Sequence, residues 1–198
     1  MKKLMMICII FVVWAISSVA NAAPTYVLNF DDIYSGNAYM TMPTTYGGLI
    51  WENFDVGIEG YAGYYTQSAV SGLYQANGQD SRGRITSEPG NVFNFIGAYF
   101  SPADSANLGY VEVTGMYQGV QVGSTARIDF TGATPQWLAC DFVGIDELLF
   151  SSYDSGNRSY YSFDDFTYSS VVPAPGAVLL GSLGVTLVGW MRRRKSML

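Results

Sequence analysis

The chain has 198 residues, ten Lys and Arg, sixteen Asp and Glu, no histidine and a formal net charge of −6. The lack of histidine excludes Ser-His-Asp and Cys-His catalysis and histidine-ligated zinc. No P-loop or dinucleotide fingerprint occurs either. Lys2, Lys3, Arg192, Arg193, Arg194 and Lys195 lie at the ends, so residues 23–170 carry four cations against sixteen acids, a net −12. Such a surface repels nucleic acid and anionic lipid and favours cations.

The chain opens with the marks of export. Lys2 and Lys3 are a basic lead, Leu4 to Ile16 is apolar, and Ala20-Asn21-Ala22 fits the small-x-small cleavage rule. Residues 1–22 are expected to be a signal peptide, with the mature chain starting at Ala23. Cys8 would leave with it, and the remaining Cys140 cannot form an intramolecular disulfide. Between Ala139 and Asp141 in an apolar segment, Cys140 reads as a small buried hydrophobe.

Residues 23–170 read as one all-β domain. No stretch keeps a convincing 3.6-residue apolar period, and Gly, Asn, Asp and Ser recur at short intervals. Expected strands are Tyr26–Phe30, Leu49–Phe54, a weak Tyr61–Tyr65, Ala69–Gln75 before an Ala76-Asn77-Gly78 turn, and Asn91–Phe100. In the last of these, Val92, Asn94, Ile96 and Ala98 face one way and Phe93, Phe95 and Tyr99 the other, with Gly97 shifting the register. Leu108–Tyr117 and Val120–Phe130 form a hairpin at Gln118-Gly119, followed by Gln136–Phe142, Glu147–Ser152 and Tyr160–Tyr168. Segments 79–90 and 153–159 read as loops. This pattern predicts a two-sheet jelly-roll β-sandwich.

Four short pieces support that architecture: Asn29-Phe30-Asp31-Asp32, Tyr46 to Trp51, Phe93-Asn94-Phe95 and Phe163-Asp164-Asp165-Phe166-Thr167-Tyr168. Their order resembles the galactose-binding-like and carbohydrate-binding-module jelly rolls. The resemblance implies that first and last strands are neighbours.

The acid pairs Asp31-Asp32 and Asp164-Asp165 stand beside Phe30, Phe163 and Phe166. Buried uncompensated carboxylates are costly. One solution is a structural calcium ion held by one Asp of each pair, since Ca²⁺ takes six to eight oxygens. The other is that one Asp of each pair faces solvent while an Arg or a backbone N–H satisfies its neighbour. A glycosidase would need two carboxylates about 5 to 10 Å apart. Glu52, Glu59, Glu88, Glu112 and Glu147 offer candidates, but nothing selects a pair. Tyr61, Tyr64, Tyr65, Tyr74, Tyr153, Tyr160 and Tyr161 lie near expected loops, where sugar rings could stack; packing within the sandwich is the other use for them. Asn157-Arg158-Ser159 fits the glycosylation sequon.

Residues 171–198 form a tripartite tail. Pro173-Ala174-Pro175-Gly176 precedes an uncharged stretch, with a helix expected over about 175–191, and Arg192, Arg193, Arg194 and Lys195 follow. Trp190 stands at an interfacial position and the cations mark the cytoplasmic side. The tail resembles the PEP-CTERM sorting signal of bacterial surface proteins, with Ala174 where that motif has Glu, as in a variant subclass. The resemblance implies an exosortase-type membrane protease as partner, a membrane-anchored state before processing, and an envelope or extracellular matrix rich in exopolysaccharide. The plain alternative is a permanent C-terminal anchor. Together these readings predict a non-enzymatic structural or adhesive protein of the cell surface, or a carbohydrate-binding module for exopolysaccharide.

Overall fold

The computed structural model describes residues 23–33, 37–60, 69–78, 83–102, 108–154, 157–158 and 160–171. Two antiparallel seven-stranded sheets make up the compact unit Pro24–Val171. The first sheet contains β1 (Thr25–Leu28), β2 (Tyr39–Thr41), β5 (Phe54–Ile58), β6 (Tyr74–Gly78), β8 (Phe93–Pro102), β11 (Gln136–Ile145) and β14 (Tyr161–Ser170). The second contains β3 (Thr45–Tyr46), β4 (Leu49–Glu52), β7 (Arg84–Ser87), β9 (Tyr110–Tyr117), β10 (Val120–Asp129), β12 (Glu147–Asp154) and β13 (Asn157–Arg158). The first runs β11-β8-β14-β6-β5-β2, with β1 on β14; the second runs β10-β9-β12-β7-β4-β3, with β13 on β12. The all-β, two-sheet expectation holds, and first and last strands are neighbours.

The expected strand Leu49–Phe54 is two strands in different sheets. Leu49 and Trp51 are buried with a spacing of two, as are Phe54 and Val56, but Trp51 and Phe54 are three apart. One continuous strand cannot turn both pairs to one core. Asn53, at φ 63°, takes up the odd residue in the left-handed region and carries the chain from one sheet to the other.

Other boundaries also move. Ala76-Asn77-Gly78, expected as a turn, lies inside β6 between β5 and β14. The expected loop 79–90 contains β7, a central strand between β12 and β4. Ile85 is its inward-facing residue, too little for an apolar pattern to show. The expected loop 153–159 contains β13. In β8 the Gly97 shift is present, but beyond it Ala98 and Phe100 turn to the core and Tyr99 turns away. The β9–β10 hairpin forms at Gln118 (φ 50°) and Gly119 (φ 76°), the paired positive values of a type I′ turn.

Phe163 of β14 lies at the centre of an aromatic core. Its ring stacks on Phe150 of the other sheet at 5.7 Å, and Phe30 and Phe54 meet it edge-on at 5.7 and 5.5 Å. Cys140 is half-buried against this core, and burial pushes its thiol up to about 12. It is protonated at neutral pH and a poor nucleophile.

Residues 1–22, with Ala20 and Ala22, and the tail 172–198 lie outside the described residues, as does Tyr61–Tyr65. Among the described residues no helix is long and apolar enough to cross a membrane.

Candidate functional site

One edge of β14 is shared by two strands. Phe163 pairs with Ala76 of β6, and Phe166 pairs with Leu28 of β1. Asp164 and Asp165 fall between them, where the register shifts and Asp165 takes φ 50°. Asp31 and Asp32 follow β1 in a 3-10 turn, Asp31–Ile33. The two acid pairs are therefore brought to one junction. Asp164 Oδ2 accepts the N–H groups of Val70 (2.7 Å) and Ser71 (2.8 Å), and Ser71 Oγ donates to Asp165 Oδ1 at 2.6 Å. Asp31 Oδ1 accepts from Leu73 N (2.8 Å) and Tyr74 N (3.1 Å). Asp32, exposed, accepts from Tyr46 OH at 2.6 Å.

The carboxylates thus hold residues 70–74 across the gap between β1 and β6. Gly72 permits the approach, for it stands at φ 63° and a Cβ there would overlap the Asp31 carboxylate. Backbone N–H groups thus bind Asp31 Oδ1 and Asp164 Oδ2, the arrangement expected as the alternative to a calcium ion. Among the described residues no group of three or more acidic or cysteine side chains is placed to hold a metal ion. Burial pushes Asp164 up to about 6, against the opposing pull of the N–H groups.

Next to this junction, the outer face of the first sheet carries an unusual polar layer. Pairing aligns Thr41, Asp55, Asn77, Ser162 and Ser101 in one row. The neighbouring row includes Tyr39, Gly57 and Gln75 on one side, and Asp164, Tyr99 and Trp137 on the other. Asp55, Gln75, Asn77, Ser101, Ser162 and Asp164 are all buried although they face away from the core. Tyr39 OH donates to Asp55 at 2.5 Å, and the Ser101 and Ser162 hydroxyls lie 2.7 Å apart. Among the described residues, Gln75 and Asn77 have no partner for either end of either amide.

At the margin Trp137 meets Tyr99 at 5.1 Å and 65° and remains 40% exposed. Its ring lies over Gly97, where a Cβ would come within 2.8 Å of Trp137 Cζ2. Gly57 does the same for Asn77, whose Nδ2 would be 2.8 Å from a Cβ.

Sequence reasoning missed this layer. It read Asn77 as a turn residue and did not single out Gln75, Tyr99 or Trp137. The signal was alternation: Gln75 and Asn77 flank Ala76 with period two. Of the tyrosines considered for sugar stacking, Tyr161 is fully buried in the core, its hydroxyl pushed well up by burial. Tyr74 is half-buried, Tyr153 lies 5.4 Å from Tyr110, and Tyr160 is exposed. Tyr61, Tyr64 and Tyr65 lie outside the described residues. Of the glutamates considered for hydrolysis, Glu52 and Glu147 are both held by Arg84, and Glu112 by Arg127 at 3.5 Å.

No family model matches the chain, and no curated protein matches it. Among solved structures it is similar to the family 61 module TmCBM61, determined in complex with beta-1,4-galactotriose, at 11% identity and TM-score 0.40, covering 63% of this chain and 90% of that one. It is similar to the C-terminal family 22 carbohydrate-binding module of Clostridium thermocellum Xyn10B at 13% identity and TM-score 0.44, covering 78% and 98%. It also resembles the enzymatically active domain of bacteriophage CBA120 tailspike protein 4 at 12% identity and TM-score 0.35, covering 67% of this chain and 21% of that one. At these scores the likenesses carry no argument about function.

Proposed function

We propose that this is a non-enzymatic, exported adhesive protein whose β-sandwich binds carbohydrate on the outer face of its first sheet. The supporting observation is the polar layer running from Tyr39 and Asp55 to the Tyr99–Trp137 pair. Buried polar side chains on a face away from the core contribute nothing to apolar packing. Beside an exposed indole they have the composition of a glycan site, in which the ring takes a sugar face and the polar groups take hydroxyls. The arginine-held glutamates on the second sheet offer no free acid and base. Export, sorting by the Pro173-Ala174-Pro175-Gly176 tail and retention in an exopolysaccharide matrix complete the reading.

The test is affinity electrophoresis of residues 24–171, the unit that contains the described core, through gels cast with different polysaccharides. Retardation by at least one glycan is expected. Trp137→Ala should weaken it by about 2 kcal/mol, roughly thirtyfold, as for an aromatic anchor. Equal mobility of wild type in every gel would end the carbohydrate reading.

A further inference from the structure

Resting on that reading, we infer that Gln75 and Asn77 are the polar subsite of this face and that its ligand is an uncharged polyhydroxylated chain. Each amide offers an acceptor and an N–H₂ donor, and all four atoms are buried without a partner among the described residues. Few native buried polar groups are left this way, and each instance calls for a reason. A cation would satisfy the two oxygens and confront both N–H₂ groups. A hydroxyl both donates and accepts, so adjacent hydroxyls match an amide at both ends.

Charge narrows the choice further. Asn77 pairs directly across the ladder with Asp55, and Asp164 lies on the same face. Of the arginines whose side chains are described, Arg84 and Arg127 are both engaged on the second sheet, so neither answers a uronate here. Gly57 keeps the room beside Asn77 open, because a side chain would occupy the space its amide uses. The amides are shut off from solvent, whereas Thr41 and Trp137 at the ends of the face are exposed, so binding includes an opening of the face.

A residue kept for a ligand at the expense of the fold has a signature that a structural residue lacks. Replacing an unpartnered buried amide by an apolar side chain of similar shape stabilises, while removing a partnered one destabilises. The experiment compares wild-type residues 24–171 with Gln75→Met/Asn77→Leu and with the single variant Asn77→Ala. Thermal midpoints are measured with and without calcium. Binding is measured to galactan, xylan and β-glucan as neutral probes and to polygalacturonate as the anionic one.

The expected result is a midpoint raised by at least about 2–4 °C in the double variant, with affinity for the neutral probe reduced at least tenfold in both variants. A raised midpoint with unchanged affinity would overturn the subsite and leave the carbohydrate reading standing. A lowered midpoint in the double variant would show the amides to be partnered and overturn it too. Tighter binding of polygalacturonate than of any neutral glycan would overturn the ligand class. A wild-type midpoint raised by calcium but not in the double variant would make the site a cation site. Wild type bound by no glycan would remove both readings together.

Discussion

Asp164 shows at single-residue scale how a buried charge is accommodated. Two backbone N–H groups of residues 70–71 hold its carboxylate, yet desolvation outweighs them and its pKa rises to about 6 from 3.8. The folded state therefore binds this proton more tightly than the unfolded chain. Its contribution to stability is greatest below about pH 4 and declines as pH rises to about 6, by on the order of 3 kcal/mol. Asp164→Asn removes the titration, so the difference in melting temperature between wild type and variant should move against wild type from pH 4 to pH 7. Equal differences at both pH values would contradict the assignment. Calcium added to the same wild-type melts should leave them unchanged, because N–H groups already occupy Asp31 and Asp164. Gly72→Ala should cost at least about 2 kcal/mol, combining an unfavourable φ with overlap on Asp31; equilibrium urea unfolding measures it. The sequence shows that these acids need partners. It does not show that the partners are N–H groups of residues 70–74, which are 93 and 94 positions away from Asp164 for the two donors.

At the scale of elements, β14 joins everything. It pairs with β8 along one edge and with β6 and β1 along the other, and its Phe163 fills the space between the sheets. Phe163→Ala should lower the unfolding free energy by about 3–5 kcal/mol, measured in urea, because the flanking rings cannot collapse into the void. Elements with local signals were legible: the Gln118-Gly119 hairpin needs only two residues of positive φ and its own flanking strands. Elements with non-local signals were not. β7 has a single inward apolar residue, Ile85, and exists because β4 and β12 lie on either side to complete its ladder. Asn53 divides an apparently continuous strand for a reason visible only when both cores are counted. Asn77 carries turn chemistry, but the ladders to β5 and β14 override it.

At the scale of the whole molecule, charge bears on the ligand and the proposed tail on location. Four cations against sixteen acids in residues 23–170 disfavour nucleic acid and anionic glycans, and agree with the neutral ligand proposed for the first sheet. If residues 173–176 are a sorting motif, protein recovered from the native envelope or medium should have an intact mass that begins at Ala23 and lacks the residues after about Pro175. A mass that runs from Ala23 to Leu198 would instead establish a permanent anchor.

The sequence alone determined the all-β class, the two-sheet architecture and the β9–β10 hairpin; that first and last strands are neighbours was implied only by the family resemblance, and the structure pairs β1 with β14. Period-two alternation, turn chemistry and composition are local, and they survive without knowledge of the partner strands. Tertiary structure decided where the chain changes sheets, what satisfies the acid pairs and which residues line the outer face. Those depend on groups far apart in sequence, and ladder hydrogen bonds and desolvation take effect only once the strands are side by side. The unpartnered amides of Gln75 and Asn77 belong to this second class: their cost exists only in the folded state, when water has left them.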